Sequence, residues 1–165
     1  MTTNMNDASA SNSKSNGKQE ATALLKADHK LVEQLFDDFE QSNTKSQKKQ
    51  IVEQICKELS IHAQVEEEIF YPAVQKALKD HELVPEAIVE HSTLKDLIDA
   101  VKGVEPDGDM YDAKIKVMCE YVKHHVKEEE ENEMFVEAKT TSLDMVNLGA
   151  LISERKTQLA NEYAK

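Results

Sequence analysis

Tryptophan is absent from this chain, and helix-interrupting residues are scarce: four glycines and three prolines in 165 positions. That scarcity excludes a loop-rich or collagen-like chain and leaves room for long helices. Cysteine occurs only at Cys56 and Cys119, 63 positions apart, which is neither a disulfide framework nor a CxxC site. No apolar run approaches the roughly 18 residues a membrane helix needs, and the N-terminus has no basic-then-apolar leader. A soluble, cytoplasmic protein with no membrane association is therefore expected. No basic patch accompanies the formal charge of −12, which argues against a nucleic-acid partner. Aromatic residues make up only 5%, so the core should be mostly aliphatic.

What is present is helical patterning, in a chain long enough for one domain with a real core. Residues 1–19 are Ser, Asn and Thr with almost nothing to bury and read as a disordered tail. A first helix is expected from about Glu20 to Gln41, with Leu25, His29, Val32, Phe36 and Phe39 on one face. The second runs from about Lys45 to Lys79 with the stripe Ile51/Val52, Ile55, Leu59, His62, Glu66, Ile69 and Ala73; Pro72 should kink it or start a new segment. The third, from Val84 or Pro85 to Lys102, has the stripe Ile88, His91, Leu94, Ile98 and Val101. The segment GVEPDGD then makes a loop. A fourth helix from about Met110 to Ala138 aligns Ile115, Met118, Val122, His125 and Glu129. Thr141-Ser142-Leu143-Asp144 reads as a cap opening a fifth helix, whose Val146, Leu148, Leu151, Ile152 and Leu159 should pack on the rest.

The histidines organise this pattern. His62 and Glu66 are four residues apart and share the apolar face of their helix, as do His125 and Glu129. Burying an imidazole and a carboxylate in an apolar stripe is costly unless they are partnered. The two halves of the chain repeat: a lone His (His29, His91) is followed 33 or 34 residues later by HxxxE. Shifting by 63 superposes Ile55 on Met118, Cys56 on Cys119, Leu59 on Val122 and His62 on His125. That register selects His125 over His124, which also has a Glu four residues on. Two hairpins of one pattern can close into an antiparallel up-down four-helix bundle, residues 20–138, with residues 139–165 as an added C-terminal helix.

One histidine on an apolar face is ordinary core; one on each of four helices, two of them paired with Glu, points to metal. Four neutral imidazoles and two carboxylates suit iron, manganese, cobalt or zinc, and no thiolate faces the site. Six ligands are too many for one tetrahedral zinc and natural for two metals sharing carboxylates. Ferritin-like bundles instead use Glu-x-x-His and lone glutamates, and are richer in carboxylate.

The pattern H…HxxxE…H…HxxxE, with EEEIFYP after the first pair and HHVKEEE around the second, resembles the hemerythrin HHE cation-binding domain over roughly residues 20–138. The resemblance implies two iron ions in a non-haem di-iron centre, which can be oxo-bridged, with zinc or manganese ranking below iron. It implies His29 and His62 on one iron, His91 and His125 on the other, and Glu66 and Glu129 bridging. It also implies binding or sensing of a small ligand such as O2, NO or H2O2. Peroxidase- or catalase-like stress-defence chemistry is the alternative, and iron storage or iron-centre repair ranks lower. The chain departs from oxygen-carrying relatives in two respects. Lys95 stands where a second third-helix histidine is found, which leaves a coordination position, and Glu129 replaces an Asp. Glu33, Glu67, Glu130 or a tyrosine are candidates for additional ligation. The remaining marked residues read as ordinary: Glu128–Glu131 and Glu133 as a mainly solvated face, Cys56 and Cys119 as packing residues, His81 and His124 as surface.

Overall fold

Helical periodicity carries the chain from Ala21 to Tyr163, broken by short turns at the polar stretches and by two widened helical turns that the spacing does not predict. The computed structural model describes residues 18–132 and 134–165. Residues 1–17 of the expected tail, and Glu133, lie outside them; Lys18 and Gln19 have no regular structure. The elements are α1 (Ala21–Gln41), α2 (Lys45–Val65), a π-helical turn (Glu66–Phe70), α3 (Tyr71–Leu78), α4 (Leu83–Asp99), α5 (Asp109–Lys127), a second π-helical turn (Glu128–Asn132), α6 (Met134–Lys139) and α7 (Met145–Tyr163). No strand occurs among the described residues. No described helix is long and apolar enough to cross a membrane.

Side-chain caps set several starts. Glu20 accepts from the Ala23 amide at 2.9 Å, Thr44 from Gln47 at 3.1 Å, and Asp144 from Asn147 at 2.9 Å, the last at the cap expected for the C-terminal helix. Asp80 accepts from the Leu83 and Val84 amides at 3.0 and 2.8 Å as α4 opens. Lys79 closes α3 in the left-handed region at φ 52°, a conformation more often given to glycine.

The two π turns follow the repeat, since each contains the glutamate of an HxxxE pair. In the first, the Tyr71 amide bonds to the Glu66 carbonyl, five residues back. The wider turn also relieves Pro72, whose ring would meet the carbonyl four residues back in a regular α-helix. One extra residue per turn moves the buried face along by one. Phe70, Tyr71 and Val74 are therefore in the core, while Ile69 and Ala73 of the expected stripe are only partly buried. After the second π turn, Met134, Phe135 and Ala138 are buried. Two further expectations need correction. On α4 the buried set is Val84, Ala87, His91, Leu94 and Ile98; Ile88 is 45% exposed, because the stripe follows 84, 87, 91 and not 88. On α7, Val146 and Leu151 face out while Leu148, Ile152 and Leu159 are buried.

α1 packs against α2, α5 and α7, and α4 against α5. Along α1, Leu25 belongs to one apolar cluster, with Phe70, Tyr71, Phe135 and Ile152, and Val32 to another, with Ile55, Leu94 and Met118. His29 falls between them. Cys56 and Cys119 are buried free thiols of the second cluster, and burial pushes the Cys56 thiol up to about 11.

α7 docks closely because Gly149 has no side chain: a Cβ there would stand 2.2 Å from the Gln19 carbonyl oxygen. Backbone cannot swing aside as a side chain can. Gly149→Ala is therefore expected to prise α7 from the start of α1 and to cost about 1–3 kcal/mol, the usual range for overpacking. Thermal melting checks this, and an unchanged midpoint would mean that α7 does not hold this contact in solution.

Candidate metal centre

The histidines and glutamates singled out by the repeat converge between the two apolar clusters. His29 comes from α1, His62 from α2, His91 from α4 and His125 from α5, while Glu66 and Glu129 open or lie within the π turns. All six are buried, with Glu66 0%, His91 1% and Glu129 2% exposed. They fall into two overlapping groups, His29/His62/Glu66/Glu129 and His91/His125/Glu66/Glu129; in each, one ligand-type atom per residue lies within 4.8 Å of the others. Both carboxylates belong to both groups.

Ring orientation is fixed from outside. His29 Nδ1 donates to Glu130 Oε1 at 2.6 Å, His62 Nδ1 to Asp28 Oδ2 at 3.1 Å, and His91 Nδ1 to Glu67 Oε1 at 3.0 Å; His125 Nδ1 donates to Glu90 Oε2. Carboxylates only accept, so each Nδ1 carries a proton and each Nε2 is turned inward. The inward nitrogens meet in pairs, His29 with His62 at 3.0 Å and His91 with His125 at 3.1 Å. Two nitrogens this close must share a proton or a cation.

The carboxylates show the same convergence. Glu66 Oε1 lies 3.2 Å from His62 Nε2, and Glu129 Oε2 lies 3.4 Å from His29 Nε2. Neither oxygen has a partner in hydrogen-bonding geometry, although both are fully buried. Orphaned buried carboxylate oxygens are expensive. A pair of cations would satisfy both of them and all four inward nitrogens. The residues present therefore fit a dinuclear metal site of nitrogen and oxygen donors.

Without metal, charge pairing fills the role. Burial pushes the His62 imidazole down, but Glu66 and Asp28 outweigh it and raise it to about 10. Burial likewise opposes His125, and Glu129 and Glu90 raise it to about 11. Burial and the neighbouring Glu129 push Glu66 up, yet His62 and His91 bring it below its ordinary value. Glu129 is held well below its own against burial by His125 and His29.

Tyr71 completes the inner layer. Its hydroxyl lies between Glu66 Oε2, at 3.1 Å, and Glu129 Oε1, and 3.2 Å from His91 Nε2. Burial, then Glu66 and Glu129, hold its phenol well above the ordinary value. The shift of 63 sets Met134 opposite Tyr71, so the phenol serves the His91/His125 side. Glu67 and Glu130 sit on the outer nitrogens, with Lys95 bonded to Glu67 at 2.9 Å and pointing away from the centre. Glu33 is exposed. His81 is exposed, and His124 faces out with its ring 3.8 Å from Glu90. The residues that periodicity missed are Asp28 and Glu90. Each immediately precedes a lone histidine, an Asp-His and a Glu-His in corresponding places, and that repeated acid was the available signal.

Comparison with known proteins bears on the family and the fold. The family model described as the hemerythrin HHE cation binding domain matches residues 20–136. A crystal structure of a hemerythrin HHE cation binding domain-containing protein from Mycobacterium kansasii superposes with a TM-score of 0.74, covering 87% of this chain and 89% of that one at 22% identity. A protein of Nostoc sp. named "DNA nickase" is 30% identical over 107 residues, which are 65% of this chain and 30% of that protein. The chain thus spans less than a third of that relative's length.

Proposed function

The chain belongs to the hemerythrin HHE cation-binding domain family, and from that premise we propose that it is a non-haem di-iron protein that binds or senses O2, NO or H2O2 at a His4Glu2 centre. In this reading His29 and His62 would hold one iron, His91 and His125 the other, and Glu66 and Glu129 would be shared between them. The observation that carries it is that both four-residue groups share the same two buried carboxylates. The nitrogen-rich, thiolate-free donor set suits iron, manganese, cobalt or zinc alike; iron is proposed from the family resemblance, with zinc or manganese ranking below it. The scaffold is proposed as an antiparallel up-down bundle of α1, α2–α3, α4 and α5–α6 over residues 20–138, with residues 139–165 supplying the packed helix. The reading places the protein in the cytoplasm, where two unpaired thiols suit a reducing compartment.

When bound, the metal pair supplies a redox-active site for small oxygen and nitrogen ligands. The chain supplies the rest. The outer carboxylates hold four imidazoles in one tautomer, and the apolar clusters on either side keep bulk water away. Tyr71 holds a proton at its hydroxyl, 3.2 Å from His91 Nε2, and is positioned as a further donor on the side where Lys95 replaces a histidine. A cavity of about 380 Å³ between α1 and α5 reaches His29 and Glu130 and is a route for a small ligand.

The buried phenol favours a second reading, peroxidase- or catalase-like turnover, because such chemistry needs a proton inside the site. The name of the Nostoc relative raises DNA as a partner, but the charge of −12 opposes it.

Metal analysis of protein purified without added metal tests the centre, and two irons per chain is the expected result. Mixing the reduced protein separately with O2, NO and H2O2 separates the readings. A reversible O2 or NO adduct supports binding; steady peroxide loss that falls at least tenfold in His91→Ala supports turnover. A chain with no bound metal would overturn both.

A further inference from the structure

Resting on the metal-centre reading, we infer that Lys156, on a helix beyond the residues that the family model matches, is a positioning residue of the centre. Acting through Asp28, it weakens His62 as a donor and makes the two metal positions electronically unequal.

Tyr71 aside, the repeat alone would give the two positions matching outer acids. Asp28 and Glu90 precede the two lone histidines, and each accepts from Nδ1 of the HxxxE histidine in its own half, His62 or His125. Their outer surroundings differ. The free oxygen of Asp28, Oδ1, accepts from the Lys156 ammonium. The Lys156 side chain is 26% exposed and that of Asp28 10%. Glu90 has instead the His124 ring, 3.8 Å away and 61% exposed. Lys156 is held in place by its helix. The adjacent Arg155 bonds Glu68 of the first π turn at 2.7 and 3.2 Å, and Gly149 allows the close approach of α7 to residues 19–21. A segment outside the four histidine-bearing helices therefore closes one Lys–Asp–His line that ends at an inward ring nitrogen.

A carboxylate that accepts from an imidazole Nδ1–H raises the basicity of the opposite nitrogen. An ammonium on the carboxylate's other oxygen draws charge away from that hydrogen bond and reduces the effect. The pair is largely out of solvent, so screening is weak. The positive charge also acts directly through space in the same sense. Both contributions disfavour the ferric state on the His29/His62 side. Lys95 does the same for Glu67 and His91, but its side chain is 54% exposed, so water screens it more.

The test loads wild type, Lys156→Met, Lys156→Arg and Lys95→Met with ferrous iron alone, counts the metal, and follows stepwise reduction spectroscopically. With two irons in every protein, Lys156→Met is expected to raise the ferric-over-ferrous preference of one step about tenfold, a fall of about 59 mV for one electron. The other step should move far less. Lys156→Arg should restore the wild-type value, which loss of α7 packing alone would not explain, and Lys95→Met should shift its step by a smaller factor. Coincident titrations of wild type and Lys156→Met, each holding two irons, would overturn the inference while leaving the centre intact. Wild type that takes up no iron would overturn the centre itself.

Discussion

Glu66→Ala is expected to cost the protein both metals, whereas His62→Ala should cost it mainly one. The difference follows from sharing. His62 belongs to one group of four, but Glu66 belongs to both, with Oε1 3.2 Å from His62 and Oε2 3.2 Å from His91. Its carboxylate is wholly buried, and a water taken into the space left by the side chain would bring neither its negative charge nor its reach to both groups. The metal-free variant should also be weaker than metal-free wild type. Removing one partner of a buried ion pair costs about 3–5 kcal/mol where the other is left wholly unpaired; here the His62 imidazolium keeps Asp28 at 3.1 Å, so the loss should be smaller than that. The sharpest readout is the gap in melting temperature with and without metal. A ligand at a thousand times its dissociation constant adds about 4 kcal/mol per site; wild type should show that gap and Glu66→Ala should not. Retention of two metals by Glu66→Ala would refute the bridging role.

The six central residues were legible because each rests on a spacing that survives folding. Helical period put His62 beside Glu66 and His125 beside Glu129, and the shift of 63 preferred His125 to the exposed His124. The π turns were not legible. Pro72 announces a disturbance in the first, but the second has Phe135 at the equivalent place and no proline. A 3.6-residue period continued past Glu66 therefore buries Ile69 and Ala73, when the inserted residue gives those places to Phe70, Tyr71 and Val74. The same slip hid Tyr71, whose hydroxyl reaches the centre only because its turn is widened.

The outer layer was legible in part. Glu67 and Glu130 were picked out from the sequence as candidates for additional ligation, whereas the structure has them on the far nitrogens of His91 and His29. Asp28 and Glu90 belong to the same layer and carry the same repeat. Lys156 could not have been found from spacing, since its distance from Asp28 along the chain is set by a tertiary contact of α7 and by no local period.

Alkali should weaken the metal-free protein while leaving the metal-loaded one nearly unchanged. Without metal, His62 and His125 are raised to about 10 and about 11 from an ordinary 6.5. A raised histidine contributes stability that is complete below its unfolded value and is lost as pH climbs through the folded one. Glu66 and Glu129 are lowered from 4.5; their contribution is complete above that value and is lost as pH falls through the folded one. The metal-free chain should thus be most stable between about 4.5 and 6.5 and should weaken steadily towards pH 10. Metal must displace the protons on both imidazoles, so loading at pH 7 should release about two protons per chain. Between pH 7 and 9 each pH unit then strengthens loading by about 2.7 kcal/mol, two protons at 1.36 each. Melting curves of the two forms should therefore diverge as pH rises, the loaded form gaining on the empty one. Parallel curves, or loading without proton release, would mean that those imidazoles are already neutral in the empty centre and that charge pairing does not hold it closed.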